Sequence, residues 1–170
     1  MNPTVATHGP TACLSVTGQG EPGGGEYAAA VQAIYTVATA LGAGYAPLEG
    51  QWWVEDERPA LEVPREQWRW HLMLPLPAAP SAGTLEAARE HSRVACPAAY
   101  RIRLATVAEG ECVELLHEGP FSEEPRSLKV IHDYMAEQGL VPNGPHHEVY
   151  LSPPDDPAPR TLLRQPVRPA

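Results

Sequence analysis

The sequence predicts an α+β fold in which a strand–helix–strand–strand module is used twice. Antiparallel sheets each carry their helix on one face, and the free faces meet at a central cleft on a pseudo-twofold axis. Three observations predict this. Short stretches of period-2 alternation are interleaved with stretches whose apolar residues recur every three or four positions. The two halves also repeat one order: strand, Gly/Pro loop, helix closed by a glycine (Gly42 or Gly139), turn with a proline (Pro47 or Pro145), strand with an early carboxylate (Glu49 or Glu148). Finally, 170 residues with 43% apolar content are enough for a core that needs no disulfide or metal staple.

The elements follow in order. Residues 1–10 hold two prolines and a glycine and read as a flexible tail, leaving 11–167 as a single domain. Thr11–Thr17 alternates Ala12, Leu14 and Val16 with small polar residues, as a strand does. Gly18–Gly25 reads as a loop. Over Glu26–Leu41, Tyr27, Val31, Ile34, Ala38 and Leu41 form one helical stripe, and Gly42 stops it. Pro47–Val54 and Gln67–Leu74 read as strands, separated by a charged loop over Glu55–Glu66. A second helix spans Thr84–Val94 with Thr84 as its cap. Tyr100–Val107 and Cys112–His117 read as a hairpin turning at Glu109-Gly110. Ser122 caps a third helix with the stripe Leu128, Ile131 and Met135, and Glu123 and Glu124 sit favourably at its positive end. His146–Ser152 is a strand, Ser152–Pro159 a proline-rich loop, and Thr161–Val167 a closing strand.

Charge and composition exclude several classes. With 12 Lys+Arg against 21 Asp+Glu, the net charge is −9, so no electrostatic footprint for nucleic acid is expected. No apolar run approaches the roughly 20 residues of a membrane span, and the N-terminus lacks the features of a secretory signal. Cys13, Cys96 and Cys112 are odd in number and lack C-x-x-C spacing, which reads as reduced thiols and a cytoplasmic location. The glycine-rich loop does not fit G-x-G-x-x-G, and no cofactor is expected. His146 and His147 point oppositely on a strand and cannot chelate together, so no metal site is expected.

Two clusters carry possible chemistry. All four tryptophans, Trp52, Trp53, Trp68 and Trp70, fall between positions 52 and 70 of a chain only 6% aromatic. They either fill the core or wall a site for a flat or cationic ligand. On the strand His146–Ser152, His146, Glu148 and Tyr150 share one face while His147, Val149 and Leu151 share the other. The apolar pair should meet the helices, which turns Glu148 and Tyr150 toward the cleft. A carboxylate among aromatics is partly desolvated and moves toward general-base range. A phenol two residues away can donate to a developing oxyanion. The alternative is a solvated sheet face that happens to carry a Glu and a Tyr.

The segments GEYAAAVQAIYTVATAL (25–41), PLEGQWW (47–53), WRWHLMLPLP (68–77), LLHEGPF (115–121), HHEVYLS (146–152) and LLRQPV (162–167) occur in an order that resembles the GyrI-like small-molecule-binding family. The resemblance is strongest to its stand-alone branch, which includes cyclopropanoid hydrolases. It implies a cleft that binds bulky planar, often aromatic or cationic compounds. It places the catalytic carboxylate on Glu148, the phenol on Tyr150 and aromatic walls on Trp53, Trp68 and Trp70. Glu49, His117, Phe121 and His146 complete the ligand-binding set. Three activities remain open: ring-opening hydrolysis of an electrophile for detoxification or self-resistance, sequestration without turnover, and a protein-binding role. The HHE-x-Y strand belongs to the branch that contains the hydrolases, which favours the first. The sequence departs from the usual pattern at Phe121, where GPF replaces GPY, and at PPDDPAP after the HHE-x-YLS strand.

Overall fold

The computed structural model describes residues 2–153 and 155–170. The elements in chain order are β1 (Thr4–His8), β2 (Thr11–Gln19), α1 (Gly25–Ala40), β3 (Glu49–Trp53), β4 (Arg69–Pro75), α2 (Ala82–Arg93), β5 (Arg103–Val107), β6 (Gly110–Glu118), α3 (Glu124–Glu137), β7 (Leu140–Pro142), β8 (His146–Tyr150) and β9 (Arg160–Pro169). The fold is α+β with antiparallel pairing, as the sequence predicts. Two compact units are present: residues 1–10, 47–51 and 108–170 form one, and residues 11–46 and 52–107 form the other.

In the 11–107 unit, β2 pairs with β4 on one side and β5 on the other. The cross-strand pairs Leu14–Leu74 and Val16–Leu72 make one buried row that continues to Trp70 opposite half-buried Gly18, and α1 covers it. The helix turns Ala30, Ala33, Ile34, Val37 and Ala38 inward. The buried stripe keeps Ile34 and Ala38 of the expected one and adds Ala30, Ala33 and Val37, leaving Tyr27, Val31 and Leu41 half-buried. A side chain at Gly18 would overlap the Trp70 indole, so the strand runs on through a glycine that the sequence assigns to a loop. In α2 the cap is Ser81, not Thr84: its Oγ accepts the Thr84 N–H at 3.1 Å.

The other unit repeats the pattern. There β6 lies between β1 and β9, and β9 pairs on its far side with β8 and near its C-terminal end with β7. As in the first unit, the strand before the helix pairs with the last strand of the module and carries an extra strand on its outer side. Val113 and Leu115 of β6, Leu163 and Val167 of β9, and Ile131 and Met135 of α3 form its core. The Leu48 carbonyl accepts the Tyr150 N–H at 2.9 Å, which seats the Pro47–Gln51 segment beside β8.

Three local expectations change. Residues 4–8 are a paired strand rather than part of a tail, because β6 supplies their hydrogen bonds and burial of apolar residues is not required of an edge strand. Met1 of the expected tail, and Pro154 of the proline-rich loop, lie outside the described residues. The Glu109-Gly110 step is not a hairpin, since β5 pairs with β2 and β6 with β1 and β9. Finally, α3 starts after a short 3₁₀ turn at Phe121–Glu123, with Glu123 rather than Ser122 at the cap position. Gly42 and Gly139 follow α1 and α3 with positive φ, 68° and 64°, as the predicted helix stops. Among the described residues no helix is long and apolar enough to cross a membrane.

Candidate functional site

The two faces of β8 carry two different sets of buried charge. Which face meets α3 follows from register. Glu148 lies opposite Leu163, directly opposed residues point to the same side of a sheet, and Leu163 sits in the core under α3. Glu148 therefore faces the helix, and His147 and Val149 face away from it, the reverse of the sequence expectation. Glu148 and Val149 are 8% and 6% exposed. A strand buried on both faces loses the polar–apolar contrast that would tell its sides apart.

On the α3 side, Glu148 is held by groups from its own strand. Its Oε1 accepts from His146 Nε2 at 3.1 Å and its Oε2 accepts the Tyr150 hydroxyl at 2.9 Å. The first turn of α3 brings Glu124 against it. Glu124 is 8% exposed, and no donor among the described residues reaches its buried Oε1. Burial first, then the negative charge of Glu148 and the hydrogen bond to it, push the Glu124 carboxyl up to about 9. Glu124 is therefore a carboxylic acid at neutral pH, beside the Glu148 carboxyl. Phe121 stands at the edge of this group, 53% exposed and edge-on to Tyr150 at 6.1 Å between ring centres. His117 is fully buried and fixes the turn that carries Phe121: its Nε2 donates to the Pro120 carbonyl at 3.1 Å and its Nδ1 meets Ser127 Oγ at 2.9 Å.

On the opposite side, fully buried His147 lies between two carboxylates, Glu109 at 2.6 Å from Nδ1 and Glu49 at 2.9 Å from Nε2. Both partners are acceptors, so both ring nitrogens carry protons and the ring is an imidazolium. Burial opposes that charge, but the bonds to Glu109 and Glu49 outweigh it and raise the His147 pKa. The chain of charges continues. Arg164 Nη1 donates to Glu109 at 3.0 Å, Arg164 Nε donates to Glu114 at 2.9 Å, and Glu114 meets His8 at 2.6 Å. Burial pushes Glu109 up as well, but its bonds to His147 and Arg164 bring it below the usual carboxylate range. Cys112 lies within this field, its thiol pushed up to about 12 by burial and then by the charge of Glu109. Cys13 and Cys96 are likewise buried, and neither is in a disulfide. Among the described residues no three His, Cys, Asp or Glu side chains are arranged to hold a metal ion.

The tryptophans divide into two settings within the 11–107 unit. Trp52 stacks on Tyr27 at 5.7 Å, Tyr27 meets Trp70 edge-on at 5.8 Å, and Trp52 meets Trp68 at 6.2 Å. Trp70 is 0% exposed, so it fills the core and presents no wall to a ligand; its position opposite Gly18 under α1 is the reason. Trp68 precedes β4, and its indole N–H is shared between the carbonyls of Ala60 and Val63 at 3.1 and 3.2 Å. Arg65 lies over its ring at 5.7 Å. Trp53 stands apart, lining an open pocket of about 530 Å³ with Arg69, Arg101, Glu26 and Glu55. Both arginines there are paired, Arg101 with Glu26 at 3.2 Å and Arg69 with Glu55 at 3.3 Å.

No family model matches the chain, and no curated protein does. Solved structures do. An uncharacterized conserved protein from Listeria innocua is 34% identical with a TM-score of 0.88, over 98% of this chain and 92% of that one. A hydrolase from Listeria innocua is 32% identical with a TM-score of 0.84 over the same shares, 98% and 92%. SAV2435, solved bound to tetraphenylphosphonium, shares the fold at 12% identity and a TM-score of 0.57, over 99% of this chain and 94% of that one. The chain belongs to the GyrI-like family.

In this GyrI-like chain, the structure gathers Glu148, Tyr150, His146 and Phe121 of the sequence-predicted set, with His117 supporting them from below. Glu49 is not with them; it is bonded to His147 on the other side of β8. Glu124 is the group that sequence reasoning missed. Its place in the first helical turn gave it a role toward the helix dipole, and no spacing signal ties position 124 to position 148. Glu109 and Arg164 escaped for the same reason, being 38 and 55 residues from the partners they meet.

Proposed function

We propose that the chain binds bulky planar aromatic small molecules beside Glu148 and hydrolyses an electrophile of the cyclopropanoid type, in detoxification or self-resistance. The observation that carries this reading is a buried carboxylate, gripped by a phenol and an imidazole, next to a carboxylic acid and an exposed Phe121 ring. A 32% identical neighbour that is a hydrolase supports it. In the reaction, Glu148 takes a proton from water and the water oxygen bonds to the ring methylene. The strained C–C bond breaks, and its electron pair passes to the conjugated carbonyl oxygen, which becomes a phenol on taking a proton from Tyr150 or a polarised water. Ring strain lowers the barrier, so orientation plus one acid/base group, about 10²–10⁴-fold, accounts for useful turnover.

Incubation of the protein with a spirocyclopropane-dienone alkylator, followed by mass spectrometry, tests this. The expected result is a protein-dependent gain of one water that Glu148→Gln abolishes. Full turnover in that variant would overturn the assignment. A second reading, sequestration without chemistry, is favoured by SAV2435 holding tetraphenylphosphonium on the same fold. It expects tight binding with the ligand recovered unchanged, and a Glu148→Gln loss larger for cationic than for neutral ligands.

A further inference from the structure

We propose that Glu124 is a specificity-determining residue: it shares one proton with Glu148, so the two carboxyls present a single negative charge, suited to uncharged or singly positive aromatic ligands, and a bound cation drives that proton out. The assignment rests on the reading that ligands sit beside Glu148, and it holds for either turnover or sequestration.

The geometry leaves little choice about the proton. Glu124 is more than nine-tenths buried, no N–H or O–H among the described residues reaches its Oε1, and the carboxyl it meets is that of Glu148. Two carboxylates are both acceptors, and they bond only through a proton. Neither has a Lys or Arg partner among the described residues. The other titratable or charged groups around the pair are His146 and Tyr150 on β8, and Glu123 with Arg126 at the start of α3, paired with each other at 3.4 Å. From β6, His117 is tied to Ser127 and the Pro120 carbonyl. With both carboxyls ionised, two like charges would stand in a site of low dielectric with no Lys or Arg among the described residues paired to either. A lipophilic cation arriving at Glu148 supplies that missing positive charge. It favours the doubly ionised pair, so binding and proton release are coupled.

Calorimetry with tetraphenylphosphonium as the probe, between pH 7 and 10 and in buffers of different ionisation enthalpy, tests the assignment. The wild type is expected to release a proton on binding below about pH 9, and its affinity should rise tenfold or more between pH 7 and 10. Glu124→Gln should bind the probe with no proton release and a flat pH profile, while Glu148→Gln should bind it weakly at every pH. Binding without proton release in the wild type overturns the proposal. So does a Glu124→Gln variant that keeps the wild-type release and pH profile while Glu148→Gln loses the probe; that result leaves the ligand site at Glu148 standing. If the probe binds Glu148→Gln as well as wild type, or binds none of the proteins, the reading of the site itself fails and the role of Glu124 with it.

Discussion

Glu109 and Glu124 both pack against β8, one on each side, and both are buried, yet one is held charged and the other neutral. Glu109 has cations on two sides, His147 and Arg164, and its pKa is lowered despite burial. Glu124 has only another carboxyl, and its pKa rises to about 9. The comparison separates burial from company. Burial pushes both groups the same way, and the neighbour decides the outcome.

The largest effect should come from breaking the charged side. Arg164→Met leaves Glu109 and Glu114 buried without their guanidinium and should cost about 3–5 kcal/mol in chemical unfolding. On the other side the sign should reverse. In the wild type, the unfolded chain loses the Glu124 proton near 4.5 while the folded one keeps it to about 9, so stability declines as pH rises across that window. Glu124→Gln removes this decline. It should be more stable than wild type by roughly 1–3 kcal/mol at pH 8, with the gain shrinking as pH falls toward 4.5. A Tm series over pH checks both the sign and the window. The smallest effect concerns His147. Its raised pKa means its contribution is full below the ordinary value of 6.5 and fades as pH rises through the higher folded value. His147→Gln should therefore be penalised most at low pH, with the difference from wild type narrowing in mildly alkaline buffer.

The same two sides show what the sequence can reveal. Alternation along 146–151 sorted the residues into the right two sets, because strand geometry is local. It named the wrong set as inward, because Val149 and Leu151 were weighed against Glu148 as if only one face were buried. The register that settles it, Glu148 opposite Leu163, involves a strand beyond a proline-rich loop. In the other unit, the helix and its glycine stop were legible from period and punctuation alone. There Trp68 and Trp70 were expected to act together as a wall. In fact Trp70 is core and Trp68 is anchored by the carbonyls of the segment before it, because β4 begins only at Arg69. Local period was readable; contacts between distant segments were not.

The shielded thiols bear on the survival of the protein itself. An alkylating compound that docks on a protein attacks the softest nucleophile within reach, and a thiolate sulfur is far softer than a carboxylate oxygen. Here Cys13, Cys96 and Cys112 are all enclosed, and Cys112 keeps its proton to about pH 12. Among the described residues, none of the three cysteine thiols is offered at the surface. Under the proposed hydrolysis, this keeps the three thiols from competing with water for the electrophile.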